Sequence, residues 1–261
     1  MNFELVPLYG LCNKMRAIAS VAKIAFDRNR KLKVYWLKNE ECGAYFHELF
    51  DDLCDCNCDI VVKDCESLPS FVDFRLKHWH AINKLYPHVL NSFRPSQDEI
   101  NICSEKGGLI YTCQSLGEHY PLAELFRPKK ELMDKIKNVS ICDASKTIGV
   151  HIRRTDHDIA MSKSTLAKFK SRIGEELTRD ASCLFYLATD DETVKKELIS
   201  DFKNSIITYE GELRRDTLVG MQDAVIDLWC LSRTKSILGS YFSSYSALAA
   251  ELGNVKLEIV E

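Results

Sequence analysis

The second half of the chain alternates short apolar runs with longer amphipathic stretches. The apolar runs predict five strands, with the sequences TIGVHI, CLFYLAT, SIITY, KSILGS and VKLEIV. The stretches between them predict helices near Ser164–Thr178, over DDETVKKELISDF, over RDTLVGMQDAVIDLWCLS with Asp216 as its N-cap, and over SSYSALAAELG ending at Gly253. Such alternation indicates a parallel sheet with helices on both faces, which right-handed crossovers make Rossmann-like.

The first half begins with the same alternation of predicted strands and helices, but the alternation does not continue beyond the second strand. It predicts a strand at FELVPL, a turn at YGLCNKM, a helix at MRAIASVAKIAFDRNR and a strand at KLKVYWL. From about Asn39 to Asp143 prolines interrupt the pattern, and it predicts no sheet there. We therefore expect an α/β protein of two domains, residues 1–140 and 141–261, divided where a polar stretch breaks the pattern.

Composition narrows the class of protein. The chain has 261 residues and a formal net charge of −3, which gives no general reason to expect nucleic-acid binding. It has no apolar run of about 18 residues, so we expect no transmembrane segment. The N-terminal sequence MNFELVPLYG lacks the basic region and apolar core of a signal peptide, and a cytoplasmic location is expected.

Cysteine is abundant, with eleven residues in the chain. The densest group is Cys54, Cys56, Cys58 and Cys65, whose C-x-C-x-C spacing differs from the paired C-x-x-C spacing of zinc sites. Reduced, partly buried thiols are the favoured interpretation, and metal binding is the lesser one.

Polar clusters follow the predicted strands of the second half. They are RRTDHD, DDE, YEGE and SYFSSYS, after the first four strands in order. Ligands of open parallel sheets bind beyond the carboxyl ends of the strands, so these clusters should line one site. The adjacent cations Arg153 and Arg154 repel each other unless a shared anion or water takes up their charge.

An anion site is predicted at this edge. Ser243 and Ser244 precede an apolar helix whose first N–H groups suit a phosphate, and Arg153 or Arg154 from a neighbouring strand would add a cation. Asp223 and Asp227 share one helix face, where a carboxylate could accept two N–H bonds from guanine, although a solvated helix face is equally typical of the pattern.

Other chemistries are less well supported. The sequence contains no glycine-rich nucleoside-triphosphate loop, no dinucleotide fingerprint and no serine nucleophile elbow. Asp156 and Asp158 form a D-x-D pattern, which many sugar transferases use to hold a metal on a nucleotide diphosphate. Two arginines directly before it favour metal-free neutralisation of that diphosphate.

These segments together resemble the α-1,6-fucosyltransferases and the nodulation chitin-oligosaccharide fucosyltransferases, with the protein O-fucosyltransferases as more distant relatives. HIRRTD, FYLATDDE and DLWCLSRTKSILGSYFSSYSALAAEL are similar to three signatures of these enzymes, and YGLCNKMRAIASVAKIA is similar to their N-terminal turn and helix. The resemblance covers residues 5–37 loosely and 147–252 well. Its four parts occur in the right order, which makes it specific.

The resemblance implies a GT-B-like fold with the donor site in the cleft, an acceptor-side first domain and a GDP-sugar-binding second domain. It implies an inverting glycosyltransferase that moves fucose from GDP-fucose to a glycan hydroxyl, with no metal and no other cofactor. The donor residues it implies are Asn13, His151, Arg153, Asp190, Asp191, Asp227, Ser243 and Ser244. Arg153 would bind the β-phosphate, and His151 with Asp227 would contact guanine.

The residues at the position of the family's general base differ in this chain. The α-1,6 enzymes have a lysine after RRTD and a glutamate a few residues on, where this chain has His157 and Met161. Asp156, His157 and Asp158 are the nearest candidates in sequence, with Asp156 favoured as an orienting partner of an arginine.

The acceptor is expected to be a glycan or a glycolipid, with peripheral membrane contact in the second case. Two alternatives stay open: another GDP-sugar as donor, and a GDP-sugar-binding protein without catalysis.

Overall fold

Two compact units make up the chain. The computed structural model describes residues 2–53, 59–85, 89–91, 95–139, 144–154 and 158–261. One unit comprises Met1–Lys129 and Arg215–Met221, and the other comprises Lys130–Arg214 and Gln222–Glu261. Position 140, where the sequence analysis divides the chain, lies outside the described residues. The assignment of acceptor and donor sides to the two halves stays a prediction.

A parallel sheet forms the centre of the first unit. Its described elements are β1 (Phe3–Pro7), α1 (Leu11–Asp27), β2 (Leu32–Leu37), α2 (Phe46–Leu49), β3 (Ile60–Cys65), α3 (Ser70–Lys77), α4 (Trp79–Leu85), β4 (Val89–Asn91), α5 (Gln97–Lys106), β5 (Gly108–Thr112) and α6 (Leu122–Leu125). The strand order is β3-β2-β1-β5-β4, and Leu5 of β1 lies opposite Val34 and Ile110. Its core includes Val6, Tyr35 and Leu109.

The second unit is built in the same manner. Its described elements are α7 (Lys130–Asn138), β6 (Thr147–Ile152), α8 (Asp158–Lys163), α9 (Leu166–Arg179), β7 (Leu184–Thr189), α10 (Glu192–Phe202), a 3-10 turn (Lys203–Ser205), β8 (Ile206–Thr208), α11 (Leu218–Ser232), β9 (Ser236–Ser240), α12 (Ser244–Gly253) and β10 (Lys256–Val260). Helix α11 begins in the residues of the first unit and continues into the second. The strand order is β10-β9-β6-β7-β8, with all pairs parallel.

The predicted α/β class with two Rossmann-like parallel sheets is confirmed. The sheet of the first unit takes three of its strands, β3, β4 and β5, from the stretch where the sequence pattern predicted none. β4 has only three residues, and β3 alternates half-buried with exposed positions. Such strands give a weak hydrophobic signal, because most of their stabilisation comes from neighbouring strands.

Three local predictions were wrong. Helix α1 begins at Leu11 because Gly10 is an extended N-cap and Leu11 and Met15 are buried, so most of the predicted turn is helical. Asp216 is not the cap of α11, since the hydroxyl of Thr217 accepts the Gly220 N–H at 3.1 Å. Helix α12 includes Gly253 and ends at Asn254, whose φ of 49° is left-handed.

Candidate functional site

The end of β6 lies at the centre of the second sheet. Ile148, Val150 and Ile152 are buried in one apolar cluster, and His151 lies between them on the strand. In register, His151 is opposite Ala188 of β7 and Gly239 of β9. The strand order reverses here, because β7 and β8 follow on one side and β9 and β10 on the other. Ligands of open α/β sheets bind at such a switch point.

His151 is buried, with 7% of its surface exposed. Its ring stacks on Tyr245 of α12, with centroids 4.8 Å apart and planes inclined by 26°. The hydroxyl of Ser243 lies 3.4 Å from Nδ1. Burial lowers the pKa of His151 to about 4, with Asp190 acting in the opposite direction and Arg153 in the same direction. The imidazole is therefore neutral near pH 7, and it can donate one hydrogen bond and accept another.

The main chain around Arg153 is fixed by a serine from β9. The buried hydroxyl of Ser240 accepts the Arg153 N–H at 3.0 Å and donates to the carbonyl of His151 at 3.3 Å. One side chain thus joins the carboxyl ends of two neighbouring strands. The Arg153 side chain is partly exposed, and its positive charge lies near enough to His151 to act on that pKa.

Arg154 is engaged by the protein itself. Its N–H donates to Asp190 Oδ1 at 2.7 Å, and its Nη1 donates to the Ser164 carbonyl at 2.9 Å. The hydroxyl of Ser164 accepts the Tyr241 N–H at 2.7 Å, which connects the segment after β6 to the segment after β9. Burial lowers the pKa of Arg154, and Asp190 and Asp191 oppose that effect. These contacts place Arg154 beside the acids that follow β7.

The two acids after β7 both form internal hydrogen bonds. Asp190 accepts the Arg154 N–H, as described above. Asp191 is the N-cap of α10, where its carboxylate accepts the N–H groups of Thr193 at 2.7 Å and Val194 at 3.2 Å. Each bond stabilises the local chain. A contact between either acid and the donor stays a prediction.

Helix α12 begins at this same edge. Ser243 is its N-cap residue, but its side chain makes no cap bond and its hydroxyl lies near His151 instead. Ser244 is the first helical residue. Gly239 permits the close approach of α12 to β9, since a Cβ at that position would lie 2.7 Å from the Ser246 hydroxyl oxygen. The start of α12 is thereby held next to the ends of β6 and β9.

Asp227 occupies a separate polar cluster between α11 and β7. Its Oδ1 accepts the Tyr186 hydroxyl at 2.5 Å. Burial raises the pKa of Asp227 to about 7, with the Tyr186 hydrogen bond and then Lys195 opposing the shift. Its preceding turn holds Asp223, which is 5% exposed and accepts the Glu212 N–H at 2.8 Å. The interpretation of Asp223 as part of a solvated helix face is therefore wrong.

His151 and Asp227 have different neighbours, although the sequence assigns them to one guanine contact. The charged groups acting on His151 are Asp190 and Arg153, whereas those acting on Asp227 include Lys195 and Asp223. A link between the two runs through Tyr245, whose hydroxyl donates to the Ala224 carbonyl of α11 at 2.5 Å. The shared guanine contact stays a prediction.

Asn13 belongs to the first unit and lies in the first turn of α1. Its Oδ1 accepts Arg16 Nη2 at 3.0 Å, and the same nitrogen donates to the Cys113 carbonyl after β5 at 3.1 Å. Arg16 thus fixes Asn13 relative to the carboxyl ends of β1 and β5. Its predicted contact with the sugar is not tested by these bonds.

Some predicted residues cannot be placed. Asp156, His157 and the three cysteines Cys54, Cys56 and Cys58 lie outside the described residues. Asp158 is the first residue of α8. The described cysteines are all buried: Cys12, Cys42, Cys65, Cys103, Cys113, Cys183 and Cys230. Among the residues that the structure describes, no cluster of three or more His, Cys, Asp or Glu side chains could hold a metal ion.

Sequence reasoning missed several side chains at this edge. Ser240 and Ser164 carry the connections between strand ends, and Tyr245 covers the imidazole. Lys163, the last residue of α8, adds a further cation, with Nζ 4.1 Å from the ring centroid of Tyr241. Tyr245 was visible within the SYFSSYS cluster, but its pairing with His151 depends on how β6 and α12 pack. Ser240 was also part of that cluster, whereas Ser164 and Lys163 carried no signal beyond residue type.

Neither a protein-family model nor a curated protein sequence matches the chain. Solved fucosyltransferase structures match its fold. NodZ α-1,6-fucosyltransferase soaked with GDP-fucose gives a TM-score of 0.62 at 15% identity, over 97% of this chain and 93% of that one. A mutant of Arabidopsis thaliana FUT1 in complex with GDP gives 0.63 at 15% identity, over 99% and 69%. POFUT1 in complex with GDP gives 0.55 at 11% identity, over 99% of each chain.

These likenesses confirm the resemblance at the level of the fold. The chain has the two-sheet α/β fold of the GT-B fucosyltransferases, a class of nucleotide-sugar-dependent enzymes. NodZ, FUT1 and POFUT1 are the particular proteins whose structures it resembles. Across the described ranges, no helix combines the length and apolar character needed to cross a bilayer.

Proposed function

We propose that this protein is an inverting, metal-independent glycosyltransferase that moves fucose from GDP-fucose to a hydroxyl of a glycan or glycolipid. The observation that carries the proposal is the joint placement of a neutral imidazole, a partly exposed arginine and a helix start at the switch point of the second sheet. The fold supports it, because the NodZ structure was obtained after soaking with GDP-fucose and the FUT1 and POFUT1 structures are complexes with GDP.

Negative charge develops on the GDP leaving group during the reaction and has to be stabilised. The acceptor oxygen forms a bond to the anomeric carbon as the bond from that carbon to the β-phosphate oxygen breaks, and the bonding electrons leave with GDP. Arg153 and the first turn of α12 would stabilise the negative charge where it develops. The backbone bond from Arg153 to Ser240 supports this role, since it fixes the point from which the guanidinium extends.

The acceptor hydroxyl must also lose its proton to a base. Asp156 and His157 are the proposed candidates for this base, although Asp156 is favoured as an orienting partner for an arginine. An attack from the face opposite the leaving group gives inversion in one step. Arg154 is assigned a structural role, because its hydrogen bonds join the segments after β6 and β9 through Ser164.

The first test is which nucleotide stabilises the protein. A ligand that binds only the folded state raises the melting temperature, and the increase grows with the logarithm of its concentration relative to its Kd. We expect GDP and GDP-fucose to raise the melting temperature, and UDP and CMP to leave it unchanged, since uracil and cytosine cannot offer a carboxylate the paired donors of guanine. Equal shifts with UDP and GDP would contradict the assignment.

A transfer assay separates the remaining alternatives. GDP-fucose and GDP-mannose are each incubated with a glycan mixture, and products are followed by mass spectrometry. A product from GDP-fucose with the opposite anomeric configuration supports the proposal. A product only from GDP-mannose makes the protein a transferase for that sugar. Binding of GDP-fucose without any product across a broad acceptor panel indicates a binding protein.

A further inference from the structure

Tyr245 is held at both ends in the second unit. It is the second residue of α12, its ring stacks on His151 at 4.8 Å, and its hydroxyl donates to the carbonyl of Ala224 at 2.5 Å. The hydrogen bond fixes the tyrosine to α11, and the stacking fixes one face of the imidazole to the tyrosine. The ring of His151 therefore cannot rotate about its Cβ–Cγ bond without displacing α12 or breaking these contacts.

The nitrogen atoms of the imidazole are not equivalent. Ser243 Oγ lies 3.4 Å from Nδ1, so the serine hydroxyl occupies that nitrogen. Nε2 is then the ring nitrogen that remains for a ligand at the sheet edge. Nε2 can form one hydrogen bond with a polar edge of a bound base. Under the proposed function that base is guanine.

We propose that Tyr245 is a positioning residue that holds the His151 imidazole in the orientation used to recognise the base of the nucleotide. The inference rests on the proposed function, since it concerns the same nucleotide site. It assigns Tyr245 an effect on His151 that goes beyond packing α12 against α11. Tyr245 itself need not touch the ligand.

By shielding one face of the His151 imidazole from water, Tyr245 also influences the protonation state of that imidazole. Asp190 and Arg153 are the charged groups that act on His151, and their effects oppose each other, so burial decides the protonation state. Removing the tyrosine ring admits water to one face of the imidazole. Its pKa should then rise from about 4 toward about 6.5, the usual value for histidine.

The test compares Tyr245→Phe with Tyr245→Leu. Phenylalanine keeps the stacked ring and loses the hydrogen bond to Ala224, whereas leucine loses the ring. The protonation of His151 is followed by NMR of the histidine ring protons between pH 3.5 and 8, and His151 is assigned with His151→Gln. We expect His151 to titrate near neutral pH in Tyr245→Leu and only at acid pH in the wild type and in Tyr245→Phe.

The same variants are titrated with GDP by calorimetry at pH 7.5. Tyr245→Leu should bind GDP about tenfold or more weakly, because the unfixed ring must be ordered again on binding. Tyr245→Phe should stay within a factor of about three. Tyr120→Leu, which removes a tyrosine ring packed on Phe26 in the first unit, is the matched control and should change neither readout.

The outcomes are distinguishable. If His151 keeps its acid titration in folded Tyr245→Leu, the positioning role is overturned, whatever GDP does. If the titration moves while GDP affinity holds, the inferred link to base recognition is overturned. If the wild type does not bind GDP at all, the proposed function fails, and the NMR result then reports only on the ring. Tyr245→Met, which keeps an apolar side chain of similar length, replaces Tyr245→Leu if the latter does not fold.

Discussion

The carboxyl edges of the two sheets have similar strand orders but different chemistry. In each unit the first strand is central, with β1 between β2 and β5 and β6 between β9 and β7. In the second unit, serine hydroxyls join neighbouring strand ends, and a neutral imidazole and a partly exposed guanidinium lie beside them. In the first unit, charged side chains dominate the edge and bind the protein's own backbone.

Lys14 and Asp64 illustrate the edge of the first unit. Lys14 is fully buried, donates to the Leu37 carbonyl at the end of β2 and lies 4.8 Å from the Trp36 ring centroid. Burial lowers its pKa. Asp64 of β3 accepts the Phe46 N–H at 2.6 Å and contacts the His47 ring, at 2.6 Å from Nδ1. These charges hold α1 and α2 to the strands.

The difference teaches which edge is suited to an anion. A buried charge that is already satisfied by backbone groups stabilises a fold and has little capacity for a ligand. At the edge of the second unit, the hydroxyl of Ser240 joins the ends of β6 and β9, and the acids Asp190 and Asp191 are already hydrogen-bonded to backbone N–H groups. On this comparison we propose that the second unit recognises the nucleotide diphosphate. The predictions below test it, starting with the largest effect.

Arg153→Lys should have the largest effect. The ammonium keeps the charge but cannot engage two phosphate oxygens as a planar guanidinium does. Turnover of GDP-fucose should fall by about a hundredfold or more, as is typical when a donor that stabilises the leaving group is lost. The measurement is GDP release with a competent acceptor, together with a melting curve.

Arg154→Lys is the matched control. It should lose the hydrogen bond to the Ser164 carbonyl, lower the melting temperature by a few degrees and reduce turnover much less. If Arg154→Lys abolishes turnover while Arg153→Lys retains it, the roles of the two arginines are reversed. If neither changes turnover, this edge is not the donor site and the comparison fails.

The sequence predicted the second sheet well because its central strands β6, β7 and β9 are buried apolar runs and helices separate the strands along the chain. β6 and β7 match the predicted segments almost residue for residue. The first sheet was predicted only at β1 and β2. Two of the three missed strands have a local reason: β4 is very short, and edge strand β3 shows alternate exposure without a buried apolar run. The third, β5, is mostly buried, but it begins with a glycine and lies in the proline-interrupted stretch. Their pairing depends on long-range contacts that no local pattern contains.

The sequence predicted that the ends of the strands in the second sheet would form a site. It did not predict the hydrogen bonds that connect those strand ends. Adjacent arginines after an apolar run indicated the anion site, because the repulsion of two cations is visible in sequence. The hydroxyl of Ser240 acts through a bond to a residue 87 positions away, and that separation carries no sequence signal. Asp227 was singled out by its four-residue spacing from Asp223, yet its bond to Tyr186 depends on how α11 packs on β7.

The second prediction concerns the pH dependence of GDP binding through Asp227. Burial raises the pKa of Asp227 to about 7, and only the ionised carboxylate accepts two N–H bonds from guanine. GDP affinity should therefore fall as pH drops below about 7, by at most about tenfold per pH unit. Calorimetric titrations between pH 5.5 and 8.5 measure this slope.

Stability without ligand should show the opposite sign. A carboxyl whose folded pKa is raised stabilises the protein at low pH, and that contribution is lost as pH rises from about 4 through about 7. Asp227→Asn should flatten this dependence and that of GDP binding, and it should weaken GDP binding most above about pH 7, where the wild-type carboxylate is ionised. Asp134→Asn, at an exposed position of α7, is the control for general charge effects. An unchanged binding slope in Asp227→Asn would remove Asp227 from the guanine contact.

A carboxylate of the first unit should affect stability and leave nucleotide binding alone. Asp64→Asn replaces one of the two acceptor oxygens that face the Phe46 N–H and the His47 ring. The free energy of unfolding should fall by about 1 kcal/mol, toward the lower end of what the loss of an acceptor costs, because Asp64 is only partly buried. The melting-temperature increase caused by GDP should keep its wild-type size.

Asp52→Asn is the control for Asp64→Asn. Asp52 also contacts the His47 ring, but its side chain is 95% exposed, and exposed pairs contribute little. Its melting temperature should stay close to that of the wild type. If folded Asp64→Asn no longer responds to GDP, the first unit takes part in nucleotide binding, and the contrast between the two edges does not hold.

Removing divalent cations with a chelator should leave the transfer rate unchanged, the smallest effect of the series. On the proposed mechanism, Arg153 and the start of α12 stabilise the diphosphate charge that a divalent cation would otherwise neutralise. Transfer from GDP-fucose is therefore measured after EDTA treatment, with and without added manganese or magnesium. A loss of activity that either cation restores would favour Asp156 and Asp158 as a metal site. It would also mean that Arg153 and the start of α12 do not stabilise the diphosphate of the leaving group by themselves, because part of its negative charge would then be neutralised by the metal ion.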